Sequence, residues 1–194
     1  MSKPIIGVTG TFGSGKDTVA DILESEFNAL HVSTSDIVRE KSMERHNSIE
    51  RNPFLQETAT YYRKQFGGDY FAREAYKRFE AVADQYSAAV ITGIRSLGEA
   101  RALHELGGVL VQVDAPIEVR YERMVGRQRD QETQMSLDEF KSSEANERSG
   151  GDDDASFNID KLGEMADIKI MNDGTLEEFK EKVRQLAAQQ GIAK

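Results

Sequence analysis

The chain has 194 residues, 38% of them hydrophobic, enough for one domain of moderate size with a proper core. Charged residues make up 30% and the net charge is −9, which argues against general nucleic-acid binding, because phosphate backbones need a positive surface. The absence of cysteine excludes disulfides and cysteine-based zinc sites. No stretch approaches the roughly 20 apolar residues of a membrane span, so a soluble cytoplasmic protein with no membrane partner is expected.

In chain order, "PIIGVTG" is a β-rich apolar run that predicts a buried strand over about 4–9. "KDTVADILESEF" places Val19, Ile22, Leu23 and Phe27 at helical spacing, so a helix opens where the glycine loop ends. "ALHVS" reads as a second strand, and "SDIVREKSMER" as a helix with Ser35 or Asp36 near its start. Helices are predicted over 53–66 and 69–84, divided by Gly67 and Gly68. "AAVITG" is a third strand, "LGEARALHELG" a helix ending at Gly107, "VLVQVDAP" a fourth strand and "IEVRYERMVGR" a basic helix. Residues 136–147 read as helical, and "RSGGDDDASFN" as a loop whose 150–156 part is mobile and solvated. "ADIKIMND" is a fifth strand and "TLEEFKEKVRQLAAQQ" a closing helix with Gly191 behind it. This alternation predicts an α/β fold: a five-stranded parallel sheet with helices on both faces, in a single domain over 1–194.

The chemistry starts at "GTFGSGKDT", residues 10–18. A strand, then Gly10-x-x-x-x-Gly15-Lys16, then a helix is the setting of a phosphate-binding loop. Its glycines let backbone N–H groups curl around phosphate oxygens, and the helix N-terminus adds partial positive charge. Gly10, Thr11, Phe12, Gly13, Ser14, Gly15, Lys16, Asp17 and Thr18 are the expected ATP-binding residues, with Lys16 reaching the β and γ phosphates.

Three further stretches carry a family resemblance. They are "HVSTSDIVRE" with Ser33, Thr34, Ser35, Asp36 and Arg39, "AAVITGIRSLGEA" with Gly93 and Arg95, and "VQVDAPIEVRYERMVGRQRD" with Arg123 and Arg127. With the glycine loop, they resemble the nucleoside-monophosphate kinases of the adenylate kinase type over roughly 1–130. The tail "ADIKIMNDGTLEEFKEKV" is similar to dephospho-CoA kinases and to small P-loop kinases equally. The resemblance implies a P-loop kinase fold with its core at 1–50 and 86–127, an acceptor-binding segment at about 34–85, a short lid at about 128–150, and a C-terminal strand and helix at 166–190. It implies ATP as phosphoryl donor, Mg²⁺ as cofactor and small-molecule nucleotides as partners, leaving the oligomeric state open. It assigns Thr34, Asp36, Arg39, Gly93 and Arg95 to the acceptor, and Arg123 and Arg127 to the donor phosphates. Gln56 and Arg63 fall in the segment that closes over the acceptor, Gln56 for a base edge and Arg63 for a phosphate, where Tyr61 and Tyr62 either stack or pack a helix face. Arg129 and Arg148 fall in the lid. Lys16, Arg95, Arg123 and Arg129 are the expected catalytic set.

The residue chemistry supports the same reaction. Phosphoryl transfer needs charge stabilisation and in-line positioning more than covalent chemistry, and arginine supplies a permanently charged planar fork. Arg120, Arg123 and Arg127 can share one helix face, although Arg120 reads equally well as a solvated surface arginine paired with acids. The loop has Asp17 where a hydroxyl is usual, and the third strand ends in Thr92 where the family has Asp. Carboxylate and hydroxyl are exchanged, which makes Asp17 and Thr92 the candidate Mg²⁺ residues; the alternative for Asp17 is a helix-dipole role. His31, His46 and His104 lack metal-ligand spacing and read as structural. The expected activity is transfer of the ATP γ-phosphate to a nucleoside or deoxynucleoside monophosphate. The alternatives are dephospho-CoA kinase, with Asp36 as base, and a nucleotide-driven ATPase regulator.

Overall fold

The computed structural model describes residues 3–126, 136–148, 151 and 153–193, and at 51, 52, 143, 146 and 147 the backbone alone. Five strands form one parallel sheet: β1 (Ile5–Thr9), β2 (Leu30–Ser33), β3 (Ala89–Thr92), β4 (Val109–Asp114) and β5 (Ile168–Met171), in the spatial order β2-β3-β1-β4-β5. The helices are α1 (Lys16–Phe27), α2 (Thr34–His46), α3 (Gln56–Phe66), α4 (Tyr70–Glu80), α5 (Leu97–Glu105), α6 (Ile117–Gly126), α7 (Leu137–Arg148), α8 (Ile159–Met165) and α9 (Leu176–Gln189).

The strands are apolar on both faces because both faces are covered. Ile6, Val8, Val90, Val111 and Val113 pack with Val19, Leu23 and Phe27 of α1 and with Phe179, Val183 and Leu186 of α9. Ile5, Ala89, Ile91 and Leu110 pack on the other face with Ile37, Phe71, Phe79, Leu103 and Leu162 from α2, α4, α5 and α8. The sheet grows from β1 to β3 and β2 on one side and to β4 and β5 on the other. The strand order therefore reverses at β1, and a crevice opens beyond the carboxyl ends of its neighbours.

Short polar residues set where the helices begin. Ser33, the last residue of β2, accepts from Asp36 N at 3.3 Å, so α2 starts at Thr34, ahead of the Ser35–Asp36 start that the sequence predicts. Ser96 with Glu99 and Thr175 with Glu178 form reciprocal capping boxes on α5 and α9. The predicted 53–66 helix is α3 preceded by a single wide turn at Arg51–Leu55, and the 69–84 helix is α4 followed by a tight turn at Ala83–Gln85. Helix α8 is an addition: at seven residues it is too short for periodicity to reveal, and burial of Ile159 and Leu162 holds it.

Gly151, Asp153 and Asp154 of the predicted 150–156 loop are exposed, and the described backbone is also docked: Gly98 N donates to Asp154 O at 3.1 Å, and Ser96 pairs with Phe157 in an isolated bridge. A Cβ at Gly68 would stand 2.2 Å from Asp154 O, so glycine there opens the backbone surface on which the loop sits.

Candidate nucleotide site

The loop between β1 and α1 is closed by Ser14 N donating to Thr11 O at 3.3 Å. Gly13 and Gly15 have φ of +78° and +103°, a conformation that disfavours any side chain. Space makes the same demand. A Cβ at Gly13 would meet Arg120 O at 2.7 Å, and one at Gly15 would meet Asn172 Nδ2 at 2.4 Å. The loop is thus gripped from α6 and from the end of β5.

Helix α1 has Gly15 at its cap position and, like α3 and α4 but unlike α2, α5, α8 and α9, no side-chain cap. Gly15 thus offers the first turn no capping side chain, beside a Ser14 Oγ that is buried with no hydrogen-bond partner. Lys16 is largely buried at the same end, with Nζ 3.5 Å from Asp17 Oδ1. Amides, helix dipole and an ammonium converge, which is the physical make-up of a phosphate site.

The end of β3 lies beside this loop, since Gly93 N and Ile94 N both donate to Val8 O. Thr92 Oγ1 is 2.8 Å from His31 Nε2, so the histidine is a direct neighbour of the candidate metal hydroxyl. Thr34 Oγ1 donates to Gly93 O at 2.8 Å, which binds the two acceptor motifs together. Arg39 Nη1 donates to Asp36 Oδ1 at 2.5 Å on an exposed surface. Arg95 N donates to Glu99 Oε2 at 2.8 Å, and its guanidinium lies 5.8 Å from the Phe157 ring centre.

Two arginines lie in buried pairs. Arg63, expected on an acceptor phosphate, is buried and donates to Glu99 Oε1 through Nε at 3.1 Å and Nη2 at 2.7 Å. A buried glutamate needs a paired cation, and that need claims Arg63. Arg120 is no surface residue: at 2% exposure it donates to Glu144 at 2.5 and 2.9 Å and to Ala115 O at 2.7 Å. Arg123 leaves the same helix in another direction, with Nη2 at 3.1 Å from Asn172 O and 3.2 Å from its Oδ1. Arg148, expected in the lid, donates to Glu144 and, at 3.0 Å, to Asp160. Gln56 is exposed in a shallow cleft with Pro53, Glu57, Thr60 and Tyr61, and the Arg45 guanidinium stacks 3.6 Å from the Tyr61 ring centre. Arg127 and Arg129 lie outside the described residues.

Several site neighbours escaped the sequence reading. Asn172 donates through Nδ2 to Ser14 O at 2.9 Å, tying β5 to the loop. Asp114, at the end of β4, accepts from Thr11 Oγ1 at 3.4 Å and from Ala115 N at 2.9 Å. Glu99 could have been found, because Ser96-x-x-Glu99 ahead of an apolar run is a capping-box signature. Burial opposes the charge on Glu144, but hydrogen bonds from Arg120 and Arg148 outweigh it and hold its carboxyl below the ordinary glutamate range.

A family model described as an AAA domain matches residues 6–148. A UPF0200 protein of Saccharolobus islandicus is 32% identical over 187 residues, covering 94% of this chain and 91% of that one. One from Hyperthermus butylicus is 30% identical, with 94% and 92% covered. The chain belongs to the AAA-domain family and to the UPF0200 proteins. It spans 55% of a longer UPF0200/UPF0201 protein of Archaeoglobus fulgidus, to which it is 30% identical. Among solved structures, a shikimate kinase from Bacteroides thetaiotaomicron superposes with a TM-score of 0.59 at 15% identity, covering 98% of this chain and all of the other. A sugar kinase from Janibacter superposes at 0.56 with 18% identity, covering 99% and 96%. At these identities the likeness is one of fold: a P-loop kinase-like sheet with its helices. These relationships do not single out nucleoside-monophosphate kinases. No helix among the described residues is long and apolar enough to cross a membrane.

Proposed function

We propose that the chain is an ATP-dependent phosphotransferase that moves the γ-phosphate of ATP onto a nucleoside or deoxynucleoside monophosphate. The observation carrying this reading is the uncapped start of α1 behind the glycine loop, with Lys16 beside it. The loop amides and Lys16 hold the donor phosphates, and Arg123, Arg127 and Arg129 neutralise charge on them and on the moving group. Thr34, Asp36, Arg39, Gly93 and Arg95 form the acceptor side at the ends of β2 and β3, and Gln56 serves the acceptor if its segment closes over it. Arg63 has no direct part, because Glu99 holds it.

Mg²⁺, if held here, would supply charge neutralisation at the donor phosphates, with Asp17 and Thr92 as the residues that would hold it. It usually retains waters and takes one or two carboxylates, and Asp17 at the loop end fits that demand. Thr92 fits a supporting position, since a hydroxyl can accept from His31 and keep a second lone pair for a metal-bound water.

A second reading has its own support. With Arg63 removed from the acceptor side, fewer cations remain there, while the Asp36 carboxylate is exposed on the first turn of α2. A carboxylate there serves a hydroxyl acceptor as general base, as in a dephospho-CoA kinase. ADP release from Mg·ATP, measured across nucleoside and deoxynucleoside monophosphates and dephospho-CoA with a no-acceptor control, separates the readings. One monophosphate that raises ADP release well above the control is the expected result. Stimulation by dephospho-CoA alone moves the assignment to the hydroxyl acceptor. ADP release indifferent to any acceptor removes both and leaves a nucleotide-driven regulator.

A further inference from the structure

Asn172 is buried at the carboxyl end of β5, and all of its polar atoms are used. Its backbone N donates to Asp114 O at 2.7 Å, which pins it to the end of β4. Its backbone O and its Oδ1 accept from Arg123 Nη2 at 3.1 and 3.2 Å. Its Nδ2 donates to Ser14 O at 2.9 Å, over the face of Gly15, where no side chain fits. One carboxamide thus joins the phosphate loop to an arginine of α6.

We propose that Asn172 is a positioning residue for Arg123: it sets the guanidinium against the glycine loop so that both close on the same donor phosphates. The proposal rests on the reading of that loop as the ATP site. The residue type follows from the geometry. The position needs an acceptor toward Arg123 and a donor toward Ser14 on a short stem, and asparagine carries both. Aspartate has the same shape but would turn a second acceptor oxygen toward the Ser14 carbonyl. An arginine held at one corner of its fork has less side-chain freedom to lose when phosphate binds, so anchoring raises affinity without adding a contact to the nucleotide.

A purely architectural role for Asn172, tying β5 to the loop, predicts something different, and a double-mutant cycle tells the two apart. Mg·ADP affinity is measured by calorimetric titration for the wild type, Asn172→Ala, Arg123→Ala and the double variant, with Tm recorded for each. Positioning predicts that Asn172→Ala weakens ADP about tenfold and that the double variant binds within about twofold of Arg123→Ala alone, because coupled residues are not additive. Independent losses that multiply, or a lower Tm with unchanged ADP affinity, would overturn the proposal. If Asn172→Ala does not fold, Asn172→Leu, which keeps the volume and removes both polar functions, takes its place in the same cycle with the same two outcomes. A wild type that binds no Mg·ADP removes the ATP-site reading and the proposal with it. A wild type that binds ADP while the Asn172 variants bind it equally well strikes the proposal alone.

Discussion

Lys16 is where a single side chain has the most leverage. It stands largely buried at the start of α1, where phosphate would complete the helix. Lys16→Met is expected to lower acceptor-dependent phosphoryl transfer by about 10²–10³-fold, the scale of losing one preorganised charge partner. Steady-state ADP release at saturating acceptor measures this, and a loss under about threefold would take Lys16 out of the chemistry. Asp17 makes a subtler prediction. If it holds Mg²⁺ directly or through water, Asp17→Ser raises the Mg²⁺ concentration needed for half-maximal rate by about tenfold, as removal of a carboxylate from a hard-cation site should. An unchanged Mg²⁺ requirement at an unchanged rate leaves Asp17 as a helix-terminus acid only. The sequence displayed these residues because the loop is contiguous, and spacing alone carries its meaning. It did not display Asn172, which is brought to Ser14 from 158 positions away.

At the scale of elements, two buried ion pairs hold the helices that flank the crevice. Arg63 of α3 meets Glu99 of α5, with side chains 3% and 0% exposed. The same carboxylate caps α5 and receives Arg95 N, so it also shapes the turn that presents Arg95. Arg63→Met leaves Glu99 buried without its cation and is expected to cost about 3–5 kcal/mol in urea unfolding, the usual penalty for breaking a buried pair from one side. A cost under about 1 kcal/mol would mean that water reaches Glu99 in the variant. Periodicity made most elements legible, since both faces of the sheet demand apolar strands and amphipathic helices. Helix α8 and the docked 153–158 segment were illegible for one reason. Each is held by distant contacts, α8 by burial of Ile159 and Leu162 and the segment by Asp154 O to Gly98 N and Asn158 N to Arg95 O, which no local pattern records.

For the whole molecule, the second pair predicts a pH dependence. Glu144 of α7 binds Arg120 of α6 and Arg148, and Arg120 Nη1 also reaches Phe12 O of the loop at 3.4 Å. Burial favours the neutral acid, yet the two arginines prevail and lower the carboxyl's affinity for protons in the folded state. A lowered folded-state value means that the unfolded chain binds more protons, so stability rises with pH across the interval between the two values. The contribution is complete above the ordinary glutamate value of about 4.3 and is lost as pH falls through the lower folded-state value. Asp167 adds to the same acid limb: burial opposes its charge, but Leu110 N and His104 outweigh that and lower its proton affinity. Acid unfolding of Glu144→Gln should therefore show a shallower decline below about pH 4.3 than the wild type. Superimposable acid limbs would show that the pair contributes nothing to pH-dependent stability.

The sequence by itself determined the parallel α/β architecture and the phosphate loop, because strand burial, helical period and loop spacing are local properties of a chain. The tertiary structure decided which partner each arginine meets. Arg63, Arg120 and Arg123 are alike in type, yet the first two are drawn into buried pairs with Glu99 and Glu144, and the third donates to Asn172. A charged side chain takes its role from the partner that folding brings to it, and those partners lie 36, 24 and 49 positions away along the chain.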